Sequence, residues 1–228
     1  MTAGITERAT MPGAWRENVG EDGIWRSLRT DRAGGAPRPG LFLDRDGTVI
    51  EEVGYLSRPE EVCPVRDAIA TIVRANALGI PVVVVTNQSG IARGIFDWPA
   101  YVAVEAAVDA AVAEAGGRID AVYACPHAPA AAGEPDPPGR KPDPGMLLRA
   151  ANDLNLDPGA SWIAGDRASD LEAGRRAGLR RGWLAPTGYG RREADAARAL
   201  ANEDFEVVVG KPLGALADAL EALRGEDG

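Results

Sequence analysis

Short, nearly unbroken apolar runs recur along this chain, and Ile80-Pro81-Val82-Val83-Val84-Val85 is the clearest of them. A strand with one wet face alternates apolar and polar residues, so a β-branched run without alternation describes a strand covered on both faces. Parallel strands also require long crossovers, which helices supply. The spacing predicts strands at 41–44, 80–85, 119–124, 161–164 and 181–184, with 205–209 as a weaker edge strand. Amphipathic stretches between and after them predict helices at 66–78, 98–115, 144–154, 168–177, 191–201 and 213–223. Alternation of this kind specifies an α/β fold, a three-layer Rossmann-like open parallel sheet with helices on both faces.

Residues 1–39 depart from the pattern. They are rich in Gly, Arg and Glu and run into Gly34-Gly35-Ala36-Pro37-Arg38-Pro39-Gly40. They read as a largely irregular N-terminal extension ahead of a domain at 40–224, with Trp15 and Trp25 as anchors and a helical turn from Gly23 to Leu28. The stretch from Ala128 to Gly139 reads as a loop, because the strand–helix alternation resumes after it.

Composition narrows the class. A net charge of -9 argues against a nucleic-acid footprint, which would need a basic face. Two cysteines, Cys63 and Cys125, are too few for a disulfide framework and fit a reducing cytoplasm. No apolar run reaches membrane-spanning length, and the N-terminus lacks the apolar core of a signal peptide.

Four predicted strand ends carry polar clusters, and in open α/β sheets ligands bind at the C-terminal ends of the strands. The first is Leu41-Phe42-Leu43-Asp44-Arg45-Asp46-Gly47-Thr48. Two carboxylates this close repel unless a cation neutralises them, and Mg²⁺ prefers hard oxygen ligands. One carboxylate can then attack an electrophile while the other moves a proton. Taken alone, Asp-Gly is also ordinary turn chemistry. The second cluster, Thr86-Asn87-Gln88-Ser89-Gly90, offers a hydroxyl, amides and backbone donors suited to phosphoryl oxygens, or simply a polar loop. The third, Arg140-Lys141-Pro142-Asp143-Pro144, sets two cations before a helix, either for an anionic substrate or as a solvated basic step. The fourth, Gly165-Asp166-Arg167-Ala168-Ser169-Asp170, directs Asp166 to the same edge as Asp44 as a third metal carboxylate. Asp170 is a favourable charge near a helix N-terminus, with or without a further role.

In this order, the four clusters resemble the signatures of the haloacid dehalogenase superfamily of phosphatases. With Gly54-Tyr55, Cys125-Pro126-His127 and Pro144-Gly145-Met146-Leu147, the chain looks like the branch holding D-glycero-D-manno-heptose 1,7-bisphosphate and histidinol-phosphate phosphatases. That resemblance implies no large cap domain, with short loops shaping the pocket. It implies Asp44 as the nucleophile that forms an aspartyl-phosphate, Asp46 as the acid and base, and Thr86 and Lys141 on the transferring phosphoryl group. Mg²⁺ is implied at Asp44, Asp166 and the Asp46 carbonyl. Glu52, Tyr55, Asn87, Gln88, Ser89, Arg140 and Arg167 are implied as substrate contacts, Arg167 standing where the heptose enzymes often carry Lys. The implied substrate is a small phosphorylated sugar, first the heptose bisphosphate with its 7-phosphate removed. Histidinol phosphate, or another sugar or cyclitol phosphate, is the alternative. A catalytically silent binding domain is disfavoured by intact Asp44, Asp46, Lys141 and Asp166, and a monomer is expected. The branch usually carries a zinc loop of Cys-x-His followed by Cys-x-Cys. Here Cys125 and His127 form only a half site, with Pro137-Pro138-Gly139 in place of the later cysteines. Zinc is therefore not expected, His127 reads as a loop or pocket residue, and Pro135, Pro137 and Pro138 stiffen the loop.

Overall fold

A computed structural model describes residues 14–31 and 34–224 of the chain. Seven strands form one sheet: β1 (Trp25–Leu28), β2 (Leu41–Leu43), β3 (Val82–Asn87), β4 (Ala121–Cys125), β5 (Trp162–Gly165), β6 (Arg181–Leu184) and β7 (Glu206–Val208). Their order across the sheet is β1-β4-β3-β2-β5-β6-β7. All neighbours are parallel except β1, which runs antiparallel to β4. Six helices cover the sheet: α1 (Arg66–Ala77), α2 (Trp98–Glu114), α3 (Gly145–Leu154), α4 (Ala168–Arg176), α5 (Gly190–Arg198) and α6 (Leu213–Arg224). Every predicted strand and helix is present, with no end moved by more than three residues.

The pleat sorts the apolar runs between two cores. Leu41, Leu43, Val82, Val84 and Val122 face α1, α2 and α6, whereas Phe42, Val83, Val85 and Tyr123 face α3 and α4. Because both faces are dry, each fully buried strand side chain contributes roughly 1.5–3 kcal/mol. Helix α2 shows how the crossovers dock. Asp97 caps it by accepting from Ala100 N at 3.0 Å, Pro99 sits in its first turn, and Tyr101, Val104, Glu105, Val108 and Val112 make its buried stripe.

One expectation needs correction. The segment from Gly23 to Leu28, read as a helical turn in an irregular extension, contains strand β1, with Trp25 paired to Ala124 and Leu28 to Ala121. Trp25 is 3% exposed and meets the Tyr101 ring edge-on at 5.3 Å, while Arg26 points outward. An edge strand fills the otherwise open side of β4, and four residues are too few to show a period in sequence. Trp15 lies in a 3-10 turn at Ala14–Asn18 and stacks on Trp98, 6.3 Å between ring centres.

Between β2 and β5 the chain reverses its direction of travel across the sheet. This switch point opens a crevice at the C-terminal strand ends, and the first and fourth polar clusters flank it.

Candidate active site

Asp44 follows β2 directly, and its backbone N–H donates to Ala164 O at 2.8 Å, which ties it to β5. The next residues turn tightly, with Arg45 O accepting from Val49 N at 2.9 Å and Ile50 N at 3.0 Å. Gly47 holds the turn at φ +81°, and a Cβ there would stand 2.3 Å from Asp166 Oδ2. Glycine is required twice over at this position, for the backbone angle and for the close approach.

Lys141 lies at the centre of the site and is 3% exposed. Its ammonium donates to Asp44 Oδ1 at 2.6 Å and Val85 O at 2.7 Å and pairs with Asp170 Oδ1 at 2.7 Å. Three donors therefore meet three acceptors. Burial alone would push the Lys141 ammonium down, but Asp170 and Asp44 outweigh it and hold the group charged. For Asp44, burial lifts the carboxyl well above the usual carboxylate range. Lys141 opposes that rise, and Asp170, Asp166 and Asp46 add to it. Asn87 fastens this cation in place, since Lys141 N donates to Asn87 Oδ1 at 3.1 Å and Asn87 Nδ2 to Lys141 O at 3.0 Å.

Asp166 directly follows β5 and is fully buried. Its Oδ2 accepts from Tyr189 N at 2.8 Å, whereas its Oδ1 is buried without a hydrogen-bond partner. Burial first, then the neighbouring Asp170, pushes this carboxyl up to about 7. One carboxylate oxygen from each of Asp44, Asp166 and Asp170 lies within 4.8 Å of the others. Three converging buried carboxylates and one orphaned oxygen fit a hard divalent cation, which would satisfy that oxygen and neutralise the excess charge. Asp170 also accepts from Arg167 N at 3.0 Å at the start of α4.

Asp46 stands beside this group. Its Oδ2 accepts from Gln88 Nε2 at 2.7 Å and from Thr86 Oγ1 at 3.4 Å, and Arg45 Nε and Nη2 donate to its two oxygens at 3.1 Å each. The remaining positions line a cleft of about 530 Å³ that includes Glu52, Tyr55, Ser89, Arg93, Arg140 and Arg167. Arg140 Nη1 donates to His127 O at 2.8 Å, and burial, with Arg93 and Arg167 nearby, draws its guanidinium down. Arg167 lies 3.7 Å from the centre of the Tyr189 ring. Glu52 accepts from Gly54 N at 2.7 Å, and burial pushes its carboxyl up.

All the residues singled out from sequence for catalysis or substrate contact line the cleft, whereas Asp166, singled out as a metal ligand, is fully buried and is not among the lining residues. Two of them are turned inward: Gln88 toward Asp46, and Asn87 toward the Lys141 backbone. From sequence, Asp170 reads only as a helix-start charge, and Arg93 and Tyr189 have no assigned roles. Asp170 carried a signal in its spacing from Asp166, but Tyr189 acts through its backbone and carried none. His127 is not among the cleft-lining residues and has its Nε2 3.0 Å from Asp22 O, and Cys125 is buried at the end of β4, where burial pushes its thiol up to about 11. Among the described residues, the Asp44–Asp166–Asp170 group is the one cluster of three or more such ligands.

Comparison with known proteins matches this arrangement to a defined class. The model of haloacid dehalogenase-like hydrolases matches residues 18–178, and a second HAD-hydrolase-like model matches 139–223. The chain belongs to the haloacid dehalogenase-like hydrolase family. Within that family it is a phosphatase. A Mesorhizobium japonicum protein named D-glycero-beta-D-manno-heptose-1,7-bisphosphate 7-phosphatase is 45% identical over 184 residues, covering 79% of this chain and 80% of that protein. A putative HAD-like phosphatase from Mesorhizobium loti superimposes with a TM-score of 0.77 at 39% identity, covering 92% of this chain and 99% of that one. The D,D-heptose 1,7-bisphosphate phosphatase of B. bronchiseptica, solved with magnesium and phosphate, gives a TM-score of 0.69 at 34% identity, covering 80% and 98%. Among the described residues, no helix is long and apolar enough to cross a membrane.

Proposed function

We propose that the chain is a Mg²⁺-dependent phosphomonoesterase that removes the 7-phosphate from D-glycero-D-manno-heptose 1,7-bisphosphate through an aspartyl-phosphate on Asp44. The carrying observation is Asp44 held against Lys141 at 2.6 Å, with Asp46 beside it and the cleft above. Asp44 attacks phosphorus, the bond to the ester oxygen breaks, and Asp46 gives its proton to the departing alkoxide. Asp46 then takes a proton from water as the water attacks phosphorus, which releases phosphate and restores the Asp44 carboxylate. Lys141 and the Thr86 hydroxyl hold the phosphoryl oxygens, since this chemistry depends on positioning and charge neutralisation. Mg²⁺, held by Asp44, Asp166 and the Asp46 carbonyl, supplies further neutralisation of the phosphoryl charge.

Three guanidiniums, Arg93, Arg140 and Arg167, line the outer cleft. They favour a substrate with a second phosphate over one with a cationic tail such as histidinol phosphate. The names of the relatives point the same way.

The test is a comparison of kcat/KM for both anomers of the heptose bisphosphate, other sugar phosphates and histidinol phosphate, with the position of the lost phosphate determined in the product. The heptose bisphosphate should rank first. Preference for a monophosphate by tenfold or more would overturn the substrate. Asp44→Asn should abolish turnover, and retained turnover would overturn the nucleophile.

A further inference from the structure

Behind Asp46 lies a run of buried and half-buried charges that the reaction scheme does not use. Arg45 is 1% exposed and donates to both Asp46 oxygens. Its Nη1 has no hydrogen-bond partner and lies 3.7 Å from Glu105 Oε2, while the guanidinium sits over the Tyr101 ring at 5.1 Å. Glu105, on α2, is 2% exposed, accepts from Tyr101 Oη at 3.4 Å, and pairs with Arg29 Nη2 at 3.3 Å. Arg29 directly follows β1, and its other terminal nitrogen pairs with Asp109. Burying this many charges is costly, and removing one partner leaves another charge uncompensated in a dry interior. Replacing a buried ion pair with apolar residues is often neutral or better for stability, so stability alone does not account for such a network. Its one outlet to the cleft is the Asp46 carboxylate.

We propose that Arg29, acting through Glu105 and Arg45, is a positioning residue for Asp46, so that the N-terminal edge strand helps aim the group that protonates the leaving alcohol. Arg29 fixes the Glu105 carboxylate from one side, and the fixed carboxylate orients the Arg45 guanidinium. Arg45 then offers its planar edge to Asp46, while Gln88 and Thr86 hold Asp46 from the cleft side. A carboxylate clamped from both sides has little freedom to turn away from the ester oxygen. The inference rests on Asp46 as the proton donor, and the experiment separates the two claims.

The assay is kcat/KM for two esters, the heptose bisphosphate, whose leaving group is a poor alkoxide, and p-nitrophenyl phosphate, whose leaving group departs without a proton. This parameter covers the steps up to first P–O cleavage, so the later water step does not enter. Asp46→Asn sets the benchmark, with a fall on the order of 10²–10⁴-fold on the alkyl ester and much less on the aryl ester. Arg29→Met should lower the alkyl value about tenfold and leave the aryl value within about twofold, a partial loss of the same general-acid contribution. Arg29→Lys should recover part of it, and Arg29→Met placed in the Asp46→Asn background should have no further effect. Arg26→Met loosens the same strand, through its contact with Asp153, without touching the network and should leave the ratio unchanged. Parallel falls on both esters for Arg29→Met, or an additive loss in the Asp46→Asn background, would overturn the proposal. If Asp46→Asn itself fails to discriminate, the assignment of Asp46 falls, and the proposal falls with it.

Discussion

Replacing Lys141 with Met removes the one cation among three buried carboxylates and keeps the side-chain length. In the native protein its ammonium meets Asp44 Oδ1 at 2.6 Å, Asp170 Oδ1 at 2.7 Å and Val85 O at 2.7 Å. Removing one partner of a buried ion pair costs about 3–5 kcal/mol, because the remaining charge is uncompensated. For a chain of this length each kcal/mol moves Tm by roughly 2–4 °C, so the expected fall is roughly 6–20 °C in EDTA at neutral pH. Two effects should shrink that fall. Lowering the pH lets Asp44, whose carboxyl burial already lifts above the usual range, take up a proton, which removes part of the repulsion. Adding Mg²⁺ supplies the missing positive charge to the same carboxylates and should stabilise the variant more than it stabilises the wild type. Activity should not return with Mg²⁺, because the phosphoryl oxygens have lost their donor, a loss of at least about 10²-fold. Thermal denaturation in EDTA at two pH values and then in Mg²⁺, with turnover measured alongside, checks each part. A Tm within about 2 °C of wild type in EDTA at neutral pH would refute the charge argument, and Mg²⁺-restored turnover would refute the catalytic one.

Further consequences concern the metal group and the cleft. The Asp166 carboxyl, pushed up to about 7, keeps its proton in the metal-free fold but releases it in the unfolded chain near the ordinary 3.8. Between those values the folded state binds more protons, so metal-free stability should fall as pH rises through that window. The rise in Tm produced by Mg²⁺ should therefore be larger at pH 7.5 than at pH 5.5, and the opposite order would count against a cation at Asp166. Gly47→Ala forces a Cβ to within 2.3 Å of Asp166 Oδ2 at φ +81°, so it should cost roughly 1–3 kcal/mol and weaken Mg²⁺ binding, both measurable by denaturation and calorimetry. Arg140→Gln should raise KM for the heptose bisphosphate about tenfold with little change for p-nitrophenyl phosphate, which has no second phosphate; equal changes on both would remove Arg140 from substrate recognition.

Sequence made the parallel sheet legible because its strands are dry on both faces, which leaves runs such as Val82–Val85 without alternation. It could not show β1, where Trp25–Leu28 is held by pairing with β4 and by Trp25 against Tyr101 rather than by a local signal. The same division holds in the site. Asp44, Asp46, Lys141 and Asp166 each end a predicted strand or follow one by a loop, so fold and chemistry marked them together. Asp170 carries a helix-start charge that would stabilise α4 with no further duty, and only the contact with Lys141 distinguishes the two roles.

Arg45 shows where sequence reasoning stops and why. Between two aspartates it carries no local signal of burial, yet the structure buries it to 1% exposure. What makes that burial possible lies far away along the chain, at Glu105 on α2 and at Arg29 beyond β1, and neither has any reason in its own neighbourhood to be charged. Glu105 occupies a buried stripe otherwise made of Tyr101, Val104, Val108 and Val112. An ionised residue in an apolar stripe is the pattern most readily dismissed in sequence as a tolerated exception. In a folded protein it demands a counter-charge, and tracing that demand from Glu105 leads to Arg45 and then to Asp46. Buried charges that break an apolar period are thus the residues from which functional connections can be traced inward, because the interior tolerates them only in company.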